Sequence, residues 1–139
     1  MGTKAKGTRA ERELMHKFYN TGSWIAIRAA GSGSTPLPCP DILAGNSQRK
    51  LAIECKSIKG KSYYFDKKEI DELIQFSKLF GAEAWVGVRF DNLGWYFVLA
   101  NNLDLSKKNK VPSINIKSAK NKGLKFEDLI LKEKNSNLY

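Results

Sequence analysis

Apolar and polar residues alternate along the chain with two different periods, and the period in each segment predicts its secondary structure. Segments with helical spacing are bounded by capping signals: Asp66 is the predicted N-cap of a helix, with Glu69 at the capping-box position, and Gly81 ends that helix. Segments rich in β-branched and aromatic residues predict strands. The predicted order is a helix over 8–20, strands over 23–28, 41–45 and 50–57, a helix over 67–80, strands over 82–90 and 94–100, and a short helix over 126–134.

These elements predict one domain of the α/β class that spans residues 1–139. The segments 41–45 and 50–57 are joined by a short polar turn, which is typical of a β-hairpin. Because helices precede, interrupt and follow the strands, we expect a mixed five-stranded sheet flanked by helices. Residues 1–6 are predicted to form a mobile basic arm, and residues 103–125 a basic irregular segment.

The chain is strongly basic, with 24 Lys and Arg against 14 Asp and Glu and a net charge of +10. A field of this sign on a small domain attracts polyanions, of which nucleic acid is the commonest. Residues 103–125 hold seven lysines against a single acid, Asp104, although a solvated lysine surface is an alternative interpretation. Elsewhere, the basic residues for which we expect phosphate contacts are Lys4, Lys6, Arg9, Arg28, Lys59 and Lys61.

The sequence also lacks the marks of several other classes of protein. It has no run of about 18 apolar residues for a membrane span. Its N-terminal residues have no apolar signal region, so we expect a cytoplasmic protein without a membrane partner. Two cysteines and one histidine are too few for a disulfide framework or a structural zinc site. No Gly-Lys-Ser/Thr follows the glycine-rich loop, so no nucleotide cofactor is expected.

Glu54 and Lys56 share one face of the strand predicted over 50–57, because side chains two residues apart in a strand point the same way. Taken alone, this pair is better explained by a cross-strand ion pair. Asp41 opens the neighbouring strand of the hairpin, so its carboxylate can converge with that of Glu54. Such oxygen ligands suit Mg²⁺, and the lysine beside them can orient or deprotonate an attacking water. The set therefore predicts phosphodiester hydrolysis.

Glu11 lies on the apolar side of the helix predicted over 8–20. A charged carboxylate on that side is costly unless it is paired or bound to a metal ion. Glu11 is therefore a candidate further ligand. The alternative is a capping box, because Thr8 to Glu11 fits the pattern Ser/Thr-x-x-Glu.

The loop over 29–36 follows the first strand and is rich in glycine and serine. Glycine permits close approach of the backbone and serine adds hydroxyl donors, so residues such as Ser34 could contact a phosphate. A plain flexible loop explains the same composition, and the loop by itself does not decide between the two.

Four motifs lie between residues 6 and 57, and the similarity to which they belong covers nearly the whole chain, including the helix at 67–80 and the strand at Gly87-Val88. The motifs are Lys6-Gly7-Thr8 with Glu11-Arg12, Arg28-Ala29 with Ser32-Gly33-Ser34, Pro40-Asp41-Ile42, and Glu54-Cys55-Lys56-Ser57. In this arrangement the chain resembles the archaeal Holliday junction resolvases, which belong to the PD-(D/E)xK nuclease superfamily. The PD…ExK pattern marks only the superfamily, and the upstream motif and the Gly-Ser loop narrow the resemblance to the family.

The resemblance implies a restriction-endonuclease-like core, a homodimer, and Mg²⁺-dependent nicking of two opposed strands at a four-way DNA junction, with Mn²⁺ as a substitute. The positions that serve the metal ion in that family are Glu11, Asp41 and Glu54. The counterpart of Lys56 is catalytic, and a serine of the loop is functional, for which we choose Ser32 ahead of Ser34. The family often carries Gln where this chain has Glu69, which leaves the role of that position open.

Two other functions are consistent with the residues. One is another repair or restriction-type nuclease of the same superfamily. The other is a non-catalytic module that binds branched DNA, in which Glu54 and Lys56 form only an ion pair. The predicted second helix also carries apolar residues on more than one side, among them Phe76, Leu79 and Phe80, which indicates a surface for a second copy of the chain.

Overall fold

The computed structural model describes residues 3–29 and 34–133, and of residues 3–6 it describes the backbone alone. The α-helices of the described residues are α1 (Thr3–Tyr19), α2 (Lys67–Phe80), α3 (Ile116–Lys122) and α4 (Phe126–Leu131), and a 3-10 turn covers Ala100–Asn102. The strands are β1 (Ile25–Arg28), β2 (Ile42–Gly45), β3 (Lys50–Ile58), β4 (Ser62–Tyr64), β5 (Glu83–Phe90), β6 (Gly94–Leu99), β7 (Asp104–Leu105) and β8 (Pro112–Asn115).

Five strands form a mixed sheet in the order β1-β2-β3-β5-β6, which confirms the predicted class and the predicted five-stranded sheet. β3 lies at its centre, antiparallel to β2 and parallel to β5. The hairpin of β2 and β3 pairs Ile42 with Ile53, so the start of β2 lies beside the middle of β3. A parallel pair needs a crossover connection, which α2 provides between β3 and β5.

Both faces of β3 are buried, so the sheet separates two hydrophobic clusters. On one face Ile53 packs with the apolar side of α1, including Phe18, and with α4. On the other face Ala52 packs with residues of α2, α3 and the second sheet. Glu54 and Lys56 therefore point toward α2 and not into open solvent.

A buried ion pair ties the end of α4 to the sheet. Arg49 donates from Nε and Nη2 to the two carboxylate oxygens of Glu83, at 2.9 Å each, and both side chains are at most 4% exposed. Its Nη1 donates to the carbonyls of Leu129 and Lys132 at 2.6 and 2.7 Å. Trp85 Nε1 donates to Glu83 at 3.1 Å. A buried ion pair is tolerated when its remaining donors and acceptors are satisfied in this way.

Residues 103–125, which were predicted to lack regular structure, contain β7, β8 and α3. β8 lies between β4 and β7 in a second, three-stranded sheet. α3 begins with a reciprocal capping box between Asn115 and Ser118. The prediction was wrong because these strands are only two to four residues long, too short for an alternating pattern to be recognised.

Helix α1 begins at Thr3, well before the predicted start at Thr8, so the backbone of residues 3–6 is helical and does not form a separate arm. Because Thr8 lies inside the helix, it cannot be an N-cap, and the alternative capping box with Glu11 is wrong. Helix α4 ends at Leu131, earlier than predicted. No helix in the described part of the chain is long and apolar enough to cross a membrane.

Candidate functional site

Asp41 is held at the start of β2 by the backbone of the neighbouring segments. Its N–H donates to the carbonyl of Ile53 at 3.1 Å, and its carbonyl accepts from the N–H of Ala29 at 2.9 Å. Its side-chain Oδ2 accepts from the N–H of Cys55 at 2.8 Å. The carboxylate therefore lies against the backbone of β3, beside Glu54, as the hairpin predicts.

Glu54 lies in the middle of β3 and is only 6% exposed. Its carboxyl group is hydrogen-bonded to those of Asp41 and Glu69. Burial, followed by the hydrogen bond and the charge of Asp41, raises the pKa of Glu54 from 4.5 to about 11. Carboxyl groups in such close contact cannot all be ionised, so the Asp41–Glu54 pair holds a proton at neutral pH. A bound cation would relieve the same repulsion.

Lys56 follows on the same face of β3. Its Nζ donates to Glu69 Oε1 at 2.7 Å and lies 5.8 Å from the centre of the Tyr63 ring. Burial alone would lower the pKa of this amine, but the hydrogen bond and charge of Glu69, together with the charge of Glu54, outweigh burial and raise the pKa. Lys56 therefore carries its proton at neutral pH and is a hydrogen-bond donor in this arrangement.

Glu69 belongs to this group of charges, a placement that its sequence position does not predict. Asp66 is the N-cap of α2, as predicted, and accepts from the N–H of Lys68 at 3.0 Å. Glu69 does not complete the predicted capping box, since its carboxylate reaches Lys56 on β3. The signal that could have indicated this is the spacing of Glu69 and Glu72, which puts two acids on one side of α2.

Glu11 is brought near the pair from α1, on the other face of the sheet. Arg28 donates from Nε to Glu11 at 2.8 Å and from Nη2 to Thr8 Oγ1 at 3.4 Å. Burial, and then the charge of Asp41, raise the pKa of Glu11, and Arg28 opposes the rise. Glu11 is thus near enough to Asp41 for the two charges to interact, while its carboxylate is bound to Arg28.

An open cleft of about 290 Å³ lies in front of Asp41, Glu54 and Glu69, and neither Glu11 nor Lys56 is among the residues that line it. Nowhere in residues 3–29 and 34–133 are three Asp, Glu, His or Cys side chains arranged as a ready-made metal cluster. Mg²⁺ needs fewer protein ligands, because it takes one or two carboxylates and keeps several waters. The buried Asp41–Glu54 pair and the space in front of it fit such an ion. The cleft is lined by Thr35, Pro36, Cys39, Asp41, Glu54, Asp66, Lys68, Glu69 and Glu72.

The residues predicted to contact DNA are dispersed. Arg9, Ser34, Lys59 and Lys61 are exposed. Arg28 is partly buried and is engaged by Glu11. The backbone at Lys4 and Lys6 belongs to α1, whereas their side chains, like the whole of Ser32, lie outside what the structure describes.

Replacing Glu54 with glutamine is expected to stabilise the metal-free protein at pH 8. It should also make the free energy of unfolding less dependent on pH. Because the pKa of Glu54 rises from 4.5 to about 11 on folding, the folded state binds more protons than the unfolded state between those values. The free energy of unfolding therefore falls as pH rises through this window, by up to about 1.4 kcal/mol per pH unit for one proton. Glutamine has no proton to lose.

Thermal denaturation with EDTA between pH 5.5 and 8.5 measures this effect. At pH 8, adding MgCl₂ should raise the Tm of the wild type and have little effect on Glu54→Gln. Glu72→Gln, which neutralises another carboxylate of the cleft, is the control and should retain the wild-type pH dependence. If Tm depends on pH in the same way for the wild type and Glu54→Gln, the Asp41–Glu54 pair does not hold a proton at neutral pH.

Nucleases of the restriction-endonuclease-like class carry their chemistry on an aspartate and a Glu-x-Lys sequence in paired strands of a mixed sheet, and this chain has the fold and the residues of that class. A family model described as archaeal Holliday junction resolvase (Hjc) matches residues 2–137. The chain therefore belongs to the archaeal Holliday junction resolvase family.

Individual relatives agree with this assignment. The chain is 43% identical over 106 residues to the crossover junction endodeoxyribonuclease Hjc of Archaeoglobus fulgidus, covering 76% of this chain and 77% of that protein. It is 32% identical over 134 residues to the Hjc of Methanocaldococcus jannaschii, covering 90% of this chain and 96% of that protein. The crystal structure of the A. fulgidus Hjc, described as a Holliday junction resolvase, superposes with a TM-score of 0.80 at 36% identity, covering 88% of this chain and 96% of that one.

Proposed function

We propose that this protein is a structure-specific endodeoxyribonuclease that resolves four-way DNA junctions by Mg²⁺-dependent hydrolysis of one phosphodiester in each of two opposed strands. The observation that carries the proposal is the buried Asp41–Glu54 carboxyl pair beside the protonated Lys56. The relatives are crossover junction endodeoxyribonucleases, which supports the junction as substrate. The activity serves DNA recombination and repair, and we infer a cytoplasmic location, where archaeal DNA lies.

In this proposal Asp41 and Glu54 would hold the metal ion, and Glu11, which is bound to Arg28 and interacts electrostatically with Asp41, would be a further carboxylate near it. Bound Mg²⁺, or Mn²⁺ in its place, supplies a Lewis acid for the phosphoryl group and lowers the pKa of a coordinated water. Lys56 donates a hydrogen bond to the attacking water or to a phosphate oxygen, because Glu69 keeps it protonated.

We assign the positioning of DNA to exposed basic residues and to the serines of the loop before the cleft. Arg9 lies on α1, and Lys59 and Lys61 lie beyond the end of β3. Ser34 lies in the loop that continues to the cleft residue Thr35, and we retain Ser32 as a candidate for the functional serine of that loop. Such residues bind the phosphate backbone and carry no base sequence information. Lys4 and Lys6 complete the proposed set.

A second copy of the chain is proposed to cover an apolar patch at the β1 edge of the sheet. Ile25 and Ile27 are 58% and 60% exposed on β1, and Leu79 and Phe80 are 82% and 47% exposed at the end of α2. A groove of about 270 Å³ lies between the two elements and is lined in part by Leu43. Exposed apolar surface on an edge strand indicates a partner, and a two-fold dimer suits a substrate with two equivalent strands.

Phe80→Glu is expected to convert this dimer to a monomer by placing an unpaired charge in the interface. Sedimentation velocity at micromolar concentration measures the result. Leu105→Glu, which changes a residue of similar exposure on β7, is the control and should remain dimeric. If both variants sediment like the wild type, the dimer does not use this patch.

The test of function compares a four-way junction with a linear duplex of the same sequence. We expect cleavage of two opposed junction strands with Mg²⁺, no cleavage in EDTA, and binding to the junction that excess linear duplex does not displace at moderate salt. Equal cleavage of both DNAs would instead indicate a restriction or repair nuclease. Binding without cleavage under all conditions would indicate a non-catalytic branched-DNA module.

Glu69→Ala is expected to lower the cleavage rate by about 10- to 100-fold, the usual effect of removing a residue that orients an active-site group. Without Glu69 the main effect that offsets the burial of Lys56 is lost. The amine should then lose its proton at lower pH, and the alkaline limb of the pH–rate profile should shift to lower pH. Glu69→Gln keeps an oxygen that can accept from Lys56 and should retain more activity. Single-turnover rates from pH 6 to 10 measure both effects. Identical pH–rate profiles for Glu69→Ala and the wild type would show that Glu69 does not keep Lys56 protonated for the reaction.

A further inference from the structure

The second sheet carries an open groove of about 570 Å³ that is separate from the cleft. It is lined by Lys61, Asn115, Ile116, Lys117 and Lys120. The two walls are held together by the backbone, since the N–H of Ile116 donates to the carbonyl of Lys61 at 3.0 Å. All three lysines are exposed. The groove therefore carries lysines from two separate segments, and the backbones of these segments are held together.

The positive charge of this groove is not compensated by nearby acids. In the part of the chain that the structure describes, none of Lys61, Lys117 and Lys120 has a carboxylate within ion-pair distance. Asp104, the single acid of residues 103–125, is bound to Lys122 at 2.8 Å. A concave surface with charge of one sign attracts a ligand of the opposite charge. Several ammonium groups around one groove fit a polyanion better than a single small anion.

The groove is also near the active-site residue Lys56, because Lys61 is only two residues from Tyr63, whose ring contacts that lysine. Lys61 comes directly before β4, and Tyr63, two residues later, has its ring against the ammonium of Lys56. Two residues of extended chain span about 6.5 Å. A polyanion with its reacting phosphate at Lys56 therefore needs only a short further length to reach Lys61.

We propose that this groove binds the phosphate backbone of a duplex arm as the arm leaves the active-site cleft, with Lys61, Lys117 and Lys120 contacting phosphates. The inference rests on the proposed function and adds a second contact region to it. Ile116 and the lysine side chains line the groove, and the lysines are exposed, so their ammonium groups are accessible to phosphates. Such a contact is independent of base sequence.

The test is the triple variant Lys61→Gln/Lys117→Gln/Lys120→Gln, assayed by fluorescence anisotropy with a labelled four-way junction in EDTA, where no cleavage is expected. Its affinity at 0.15 M salt should fall by about tenfold or more, and the slope of log K against log salt should become shallower by about 2–3, since each phosphate contact contributes about 0.9. The control is Lys17→Gln/Lys78→Gln/Lys132→Gln, which removes the same charge elsewhere. Its affinity should stay within about threefold of wild type, because distant charges are screened at this salt.

Circular dichroism and thermal melts of both triple variants establish that they are folded. Equal loss of affinity in the two variants would overturn the inference in favour of net charge alone, and no loss in the groove variant would overturn it directly. Wild-type cleavage of the junction tests the proposed function separately. If the wild type binds branched and linear DNA but does not cut, the proposed function fails while the ratio between the two triple variants still decides the role of the groove.

Discussion

Replacing Asp41 with asparagine is expected to lower the rate of junction cleavage by about 100- to 1,000-fold or more while leaving junction binding close to the wild-type value. The amide removes one of the two carboxylates proposed to hold Mg²⁺. Its oxygen can still accept the hydrogen bond from the N–H of Cys55, so the hairpin should be unchanged. The loss of a negative charge beside the buried Glu54 also removes repulsion, so the metal-free variant should be at least as stable as the wild type.

Single-turnover cleavage at saturating enzyme and anisotropy in the same buffer separate the effect on chemistry from the effect on binding. Asp66→Asn is the matched control, because Asp66 lines the same cleft and asparagine is an equally good N-cap. This control should cut within about threefold of the wild-type rate. Cleavage by Asp41→Asn at a near-wild-type rate would remove Asp41 from the metal site and leave the fold as the main support for nuclease chemistry.

Arg49→Met is expected to destabilise the protein by about 3–5 kcal/mol, with a decrease in Tm on the order of 10 °C or more. Methionine fills a similar volume but leaves the carboxylate of Glu83 buried without its cation. It also leaves the carbonyls of Leu129 and Lys132 without their shared donor. The end of α4 should therefore detach more readily from the sheet. Urea denaturation measures the change in the free energy of unfolding.

The double variant Arg49→Met/Glu83→Gln removes the stranded charge and should recover part of the loss, since an unpaired buried charge costs more than a neutral pair. Lys50→Met is the control at the adjacent position, where the side chain is exposed, and should change stability by less than about 1 kcal/mol. A Tm for Arg49→Met equal to that of Lys50→Met would show that the ion pair contributes little.

The chemistry-bearing hairpin was predictable because its signals are local. The alternation in 50–57 puts Glu54 and Lys56 on one face, and the short turn before it brings Asp41 to the neighbouring strand. The central sheet followed from the same kind of pattern. The second sheet did not, because β7 and β8 are too short to show a period and lie among lysines that have the composition of a solvated loop.

The sequence by itself determined the α/β class, the convergence of Asp41 and Glu54, and the excess of positive charge, since each of these depends on neighbouring residues or on composition. Only the tertiary structure decided which partners the charged side chains have. Lys56 meets Glu69 across 13 residues and Arg49 meets Glu83 across 34, because a helix or strand from elsewhere in the chain packs against them. The separation of such pairs along the chain follows no regular spacing, so the sequence alone does not indicate which residues will meet. Burial beside a second carboxylate raises the pKa of Glu54 and leaves a proton on the Asp41–Glu54 pair, whereas contact with Glu69 raises the pKa of Lys56 against the effect of burial and keeps its charge.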